Sequence, residues 1–483
     1  MTFRNVPYII LIFFLLCIIH CGNKNIPKGF TINIGHFNDT HSIFHGTELK
    51  IIFNNKEYYN RAGGYLKLIT EAKKFHKKYK DALIFCAGDI FQGSLFYTYY
   101  KGMADISMLN FMKLDAFVPG NHEFDDGFLS LNKALKKRTF PVVLSNVTLS
   151  STSKIITQVF RPYIIKTINK RKIGILGLLT PDTQCISKPG TEVTFTDPIK
   201  TAKKIVSLLQ KKKVNIIIAL THLGFKRDKK LARDVNGIDI IVGGHSHTLM
   251  GDFSPLGIKS YHNYPVVIAN KKNKKVLLVH AWHKGIIFGK LAATFNKKGN
   301  LIDYKGFPSL LLDKTCKSKN KSDSKDIVQK NLCTTIKHNS STTVKITQED
   351  KQAAQYVASI EAPIIKQRKQ ILAIAKDDFY HSYLQLKKSK KTSALGQVIT
   401  NGMLDYMKEK KYKIDFVILN AGAIRTNILK GPISLALAYK VLPFKNQLVI
   451  MELSGKEIKK TIKDALHRVF SGRGVGAFPC VSG

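Results

Sequence analysis

From Phe30 to about Phe295 the chain alternates short apolar runs with longer amphipathic stretches, and this pattern constrains the fold more than any other feature. Runs at Thr31–Phe37, Ala82–Ala87, Ala116–Pro119, Pro141–Leu144, Lys172–Leu178, Asn215–Ala219, Asp239–Val242, Pro265–Ala269 and Lys275–His280 have the length and residue types of strands. Several are continuously apolar, as strands buried on both faces are. Gly64–Lys78 and Pro198–Lys211 instead repeat apolar residues at helical spacing. Alternation of this kind predicts an α/β domain with a layered sheet core.

Beyond it the composition shifts. Residues from Asp313 to Thr347 are rich in Lys, Ser and Asn and read as an extended connection, followed by a linker helix over Gln348–Gln370. A second α/β unit begins near Ile371, with a helix at Ala394–Lys408, a strand at Phe416–Leu419, a glycine turn at Asn420–Gly422 and a strand at Gln447–Leu453. The predicted division is therefore 1–21, 26–312, 313–370 and 371–483, and 483 residues leave room for two separate cores.

The first 21 residues stand apart. Val6 to Ile19 is almost unbroken apolar sequence behind Arg4, too short for a comfortable membrane span but suited to the core of an export signal. Cys21-Gly22 could mark lipid attachment, although His20 occupies a place where a small residue is usual; simple cleavage and an uncleaved membrane anchor are the alternatives. The expected location is periplasmic or cell-surface. Of the seven cysteines, Cys316 and Cys333 bracket the polar connection and are the candidate pair in an oxidising compartment. Cys86 sits in an apolar run and reads as a packed thiol.

Lys and Arg total 77 against 33 Asp and Glu, a net charge of +44. The lysines are spread along the chain without a zinc-finger or RNA-binding signature. No dedicated nucleic-acid binding is expected; a solvated basic surface that attracts anionic substrates accounts for the excess.

Residues that bind metals cluster at the C-terminal ends of predicted strands: Asp39 and His41, Asp89, Asn121, His222, and His245 with His247. That edge is where ligands bind in open α/β sheets. Alone, an Asp-x-His or Gly-Asn-His is usually a turn or a satisfied core histidine. Five such segments, each at a strand end, are hard to explain that way. The mixture of carboxylate, imidazole and amide suits zinc, manganese or iron better than calcium or copper, with zinc or manganese preferred. Seven ligands exceed what one ion needs but serve two, provided a carboxylate bridges; paired ions roughly 3.5–4 Å apart can activate water and clamp a phosphoryl group.

The segments NDTHS (Asn38–Ser42), GDIFQGS (Gly88–Ser94), GNHEFD (Gly120–Asp125), THLGF (Thr221–Phe225) and GGHSHT (Gly243–Thr248) resemble the calcineurin-like metallophosphoesterases. More narrowly, together with NAGAIR (Asn420–Arg425) and VLPFKN (Val441–Asn446), they resemble the 5′-nucleotidase family over nearly all of the chain after residue 21. The resemblance implies a layered αββα catalytic domain, a linker helix and a nucleotide-binding C-terminal domain. It implies one metal on Asp39, His41 and His247 and another on Asn121, His222 and His245, with Asp89 bridging. His122 and Asp125 would form a catalytic dyad; the alternative is that His122 is itself a ligand. Asn420, Arg425 and Phe444 would hold the nucleotide, Phe444 by stacking on the base.

Three departures from the family pattern stand out. A family arginine aligns with Ser389 in the Lys387–Lys391 run, and lysines lack the bidentate fork. His247 stands where many nucleotidases carry Asn or Gln. The family's C-terminal domain continues past the position of Gly483 and supplies a second stacking aromatic, so the second α/β domain is read as incomplete. The implied activity is hydrolysis of nucleoside 5′-monophosphates. UDP-sugar, dinucleotide or cyclic-nucleotide hydrolysis on the same centre is the enzymatic alternative, and a weakly active surface protein binding nucleotide or polyanion is the other.

Overall fold

The computed structural model describes residues 29–150, 159–260, 262–318, 344–382, 393–444, 446–471 and 475–482. The leader-like segment with Cys21, the Cys333 half of the candidate disulfide and the Lys387–Lys391 run lie outside these residues. Among the described residues no helix is long and apolar enough to cross a membrane.

Two sheets form the centre of the molecule. The first runs in the order Val344–Ile346, Ser309–Leu312, Ile287–Phe295, Phe30–Phe37, Leu83–Cys86, Ala116–Phe117, Val142–Val143, Phe160–Arg161. The second runs Val266–Ala269, Lys275–His280, Ile240–Gly243, Ile216–His222, Arg171–Leu179, Tyr163–Ile168. Phe30–Phe37, Leu83–Cys86 and Ala116–Phe117 are mutually parallel, as are Arg171–Leu179, Ile216–His222, Ile240–Gly243 and Lys275–His280. Each set therefore delivers its C-terminal ends to one edge.

The continuous apolar strands are buried on both faces, as their sequence predicts. In Ile216–His222 the residues Ile216, Ile218 and Leu220 join the core shared with the first sheet, whereas Ile217 and Ala219 face the helices Pro198–Lys211 and Phe225–Asp234. The same period of two puts His222 on the side of Leu220. Pro198–Lys211 begins where the sequence places it, because Pro198 needs no N–H partner and the Asp197 carboxylate accepts the Lys200 N–H at 2.7 Å. Cys86 is a buried free thiol.

Some elements differ from expectation. Ile287–Phe295 is a central antiparallel partner of Phe30–Phe37, from Phe30 opposite Phe295 to His36 opposite Gly289, and it was not among the predicted strands. A hairpin joins Thr47–Phe53 to Lys56–Ala62 through Asn54 and Asn55, whose φ values of 49° and 58° make the left-handed turn that asparagine tolerates. Within the polar connection, Cys316–Ser318 and Val344–Ile346 join sheets. The linker helix spans Lys351–Arg368 and buries Ala353, Val357 and Ile364 in the main core.

In the C-terminal unit Ile371–Ala375 pairs with Gly431–Ser434 and Val417–Asn420 with Pro479–Ser482. Gln447–Leu453 is not a strand. It has no ladder partner among the described residues, and Leu448, Val449, Ile450, Met451 and Leu453 are exposed. Apolar content alone does not make a strand; a neighbouring strand must take up its backbone hydrogen bonds.

Candidate active site

Asp39 and His41 follow Phe30–Phe37, Asp89 follows Leu83–Cys86, and Asn121 to Asp125 follow Ala116–Phe117. His222 ends its own strand, and His245 and His247 follow Ile240–Gly243. These turns are sharp. Asp39, His41, Asp89, His245 and His247 all adopt positive φ, between 47° and 78°, a region side-chain-bearing residues rarely occupy. Close approach of the loops also requires glycine. A Cβ at Gly88 would lie 2.6 Å from the Gly120 nitrogen and 2.7 Å from His222 Nδ1, and one at Gly120 would lie 2.1 Å from Asp89 Oδ1.

The side chains converge in three overlapping groups: Asp39, His41 and His247; Asp89, His222 and His245; and His41, Asp89 and His122. Asn121 joins the second group, its Oδ1 lying 2.9 Å from His245 Nδ1. His41 Nε2 and His247 Nε2 are 3.0 Å apart. Among the described residues, the buried atoms Asp39 Oδ1 and His222 Nε2 face this centre without a hydrogen bond, although they stand 3.2 Å from His247 Nε2 and 3.1 Å from Asp89 Oδ2. Crowded imidazoles and orphaned donor atoms aimed at one point are the arrangement a divalent cation satisfies.

The electrostatics agree. Burial opposes charge on Asp39, but His247 outweighs it and holds the carboxyl down to about 2. Asp89 is likewise lowered, with burial overcome by His222 and His122. Burial lowers His41 to about 3 and His245 to about 4, so both rings are neutral with free lone pairs. Burial also disfavours charge on His222, yet Asp89 raises it to about 10.

His122 stands apart from the paired rings. Its Nδ1 is 2.7 Å from Asp125 Oδ2, and the Ser187 hydroxyl lies 2.6 Å from Asp125 Oδ1. Burial works against protonation of His122, but Asp89 and then Asp125 lift its pKa to about 9. Asp125 therefore orients the ring and, with Asp89, favours its protonated form.

Sequence reasoning passed over Glu123, although it lies inside the GNHEFD segment. Its buried carboxylate accepts the N–H groups of Asp89, Ile90, Phe91 and Gly120 at 2.8, 2.8, 2.9 and 2.5 Å. It thus ties the Asp89 loop to the Asn121 loop. Asn38 does similar work, donating to Asp39 Oδ2 at 2.6 Å and to the Trp282 carbonyl at 2.8 Å. An acidic residue beside a glycine turn was the only local signal for Glu123.

Across a cleft of about 390 Å³ the C-terminal unit faces this centre. Phe444 stacks on His122 with ring centroids 5.8 Å apart and planes 15° from parallel. The Arg425 guanidinium lies 5.6 Å from the Phe444 centroid. Asn420 lines the same cleft with His122, Asp125, Cys185 and Ser187. The three predicted substrate residues are thus brought together, with Asn420 and Phe444 lining the space beside the predicted dyad.

A layered α/β core whose strand ends gather carboxylates, imidazoles and an amide defines a metal-dependent phosphoric ester hydrolase. The calcineurin-like phosphoesterase family matches residues 32–249, and the 5′-nucleotidase C-terminal domain matches 372–483. A Treponema pallidum protein named "Probable 5′-nucleotidase" is 30% identical over 97% of this chain and 81% of its own length. The solved 5′-nucleotidase precursor of Thermus thermophilus is 34% identical with a TM-score of 0.78, covering 94% of this chain and 81% of that one. The Haemophilus influenzae NAD nucleotidase structure is 29% identical with a TM-score of 0.72, covering 94% and 82%. The chain belongs to the 5′-nucleotidase family.

Proposed function

We propose that the protein is an exported 5′-nucleotidase that hydrolyses nucleoside 5′-monophosphates to nucleoside and phosphate, with residues 26–312 carrying the chemistry and 371–483 the nucleotide. The observation that carries this reading is the shared cleft, in which Phe444 and Asn420 stand against the His122–Asp125 pair. A base stacked on Phe444, with Arg425 and Asn420 supplying polar contacts, would point its 5′-phosphate toward the strand-end cluster.

Asp39, His41 and His247 are assigned to one divalent cation and Asn121, His222 and His245 to a second, with Asp89 between them. Such ions supply Lewis-acid polarisation of the phosphoryl group and lower the pKa of water to near neutrality. The chain's own residues do the rest. Glu123 and Asn38 keep the ligand loops in register. His122, protonated through its neighbours, donates to a phosphoryl oxygen or to the departing 5′-oxygen, while Asp125 fixes its ring with Nε2 free to act. The leader-like sequence supports export, with cleavage, lipidation at Cys21 or an uncleaved anchor as its routes.

Phosphate release from AMP by zinc- or manganese-loaded protein, abolished by EDTA, is the expected result. Unchanged turnover in Asp89→Ala or His122→Ala would sink the assignment. The NAD 5′-nucleotidase among the relatives favours dinucleotide hydrolysis as the second reading. Measuring kcat/KM for AMP, NAD and UDP-glucose side by side separates the two.

A further inference from the structure

We propose that a second cavity, between the helix Tyr65–Lys78 and the edge of the first sheet, binds a small organic anion with an apolar body. It encloses about 550 Å³, within the range of small-molecule sites. One of its lining residues, Asn33, lies four residues before Phe37, where the strand ends just short of Asp39. Those four residues alone span roughly 13 Å at the rise of a strand.

The lining divides by chemistry. Phe75, Tyr79, Leu291, Ala292, Phe307 and Ile346 form an apolar wall with three aromatic rings. Phe307 is 41% exposed, with the Lys305 ammonium 5.1 Å from its ring centroid. Around that wall stand Lys74, Lys78, Lys290 and Lys345, with Glu71 the lone carboxylate of the lining. Glu71 is already committed: its oxygens lie 3.2 Å from Lys74 and 3.2 Å from Lys290. Neither Lys78 nor Lys345 has a carboxylate within ion-pair distance among the described residues. Four lysines against one carboxylate leave the lining with surplus positive charge.

What distinguishes this cavity from a bare basic surface is the apolar wall that shares its lining with the lysines. Ser309, also in the lining, is fully buried and presents no accessible surface to a ligand. An anionic headgroup between Lys78 and Lys345, with a ring or short chain against the apolar wall, would use together the wall and two lysines that have no carboxylate partner among the described residues. A purely inorganic anion would leave the wall unused, and a neutral apolar molecule would leave the lysines uncompensated.

Calorimetric titration of the full metal-loaded chain with naphthalene-2-sulfonate tests the site, since a sulfonate on carbon is no substrate for phosphoester hydrolysis. Saturable one-to-one binding is expected, with methanesulfonate and 2-naphthol each weaker by about tenfold or more, a difference of about 1.4 kcal/mol. A Lys78→Ala/Lys345→Ala variant should weaken binding by about tenfold, and Ala292→Leu, which fills the cavity, should block it, while phosphate release stays at the wild-type rate. Three results would overturn the proposal. They are no saturable binding at millimolar probe, binding indifferent to both variants, or displacement of the probe by AMP, which would move it to the catalytic cleft. None of these outcomes depends on which phosphoester the enzyme cleaves.

Discussion

The two α/β units use the same apolar residue types to different ends. Ile218 in the catalytic unit is fully buried between two sheets, whereas Ile450 and Ile374 in the C-terminal unit are 47% and 74% exposed. The first unit clamps five ligand-bearing loops on a core that runs from Ile32 through both sheets to Ile364. The second is held by a small cluster around Leu395, Ile424 and Phe478, and even its amphipathic helix Gly455–Phe470, closed by a Ser454–Glu457 capping box, buries only Val469. The contrast is between a rigid frame, where sub-ångström placement of ligands matters, and a lighter unit that presents Phe444, Asn420 and Arg425 to that frame.

The sharpest test of this division is loss of the chemistry from the frame alone. Asp89→Ala should reduce phosphate release on the order of a thousandfold or more in steady-state assays, with the nucleotide still bound. Next comes stability. Phe117→Ala in the fully buried catalytic core should cost about 3–5 kcal/mol in denaturant unfolding. Ile450→Ala should stay within about 0.5 kcal/mol of wild type. Equal losses at the two sites would break the comparison.

Smaller effects refine it. Glu123→Gln keeps the size of the side chain but weakens its four backbone contacts; metal affinity, read by chelator competition, should drop about 10–100-fold. Phe444→Ala should raise KM for AMP about tenfold and leave kcat nearly unchanged, because it removes binding common to ground and transition states. The last effect, seen only as a function of pH, lies at the opposite edge of the second sheet. Burial pushes the Asp239 carboxyl up to about 7 from its ordinary 3.8. Between those values the folded chain keeps a proton that the unfolded chain has lost, so this group costs stability increasingly as pH rises from about 4 to 7. Asp239→Asn, which retains an acceptor for the Ile217 N–H, should raise Tm at pH 8 and match wild type near pH 4.

Much of the site was legible because its signals are local. Each candidate ligand ends or closely follows an apolar run, and Asp89, Asn121 and His245 directly follow a glycine, so these positions, with Asp39 and His222, could be proposed one strand at a time. The same locality let Pro198–Lys211 be read to its ends. It failed at Gln447–Leu453, where strand-like composition has no partner to pair with, and at Ile287–Phe295, whose central place depends on pairing with a strand more than 250 residues away.

By itself the sequence determined which side chains could bind metal, their order along the chain and the α/β alternation that carries them, because apolar periodicity and turn chemistry act over a few residues. Tertiary structure alone decided that Glu123 would tie two candidate ligand loops together, that Phe444 would cross from the other unit to stack on His122, and that Lys78 and Lys345 would line one cavity. Those relations join residues far apart in the chain, and only packing of the sheets and of the two units brings them within contact distance.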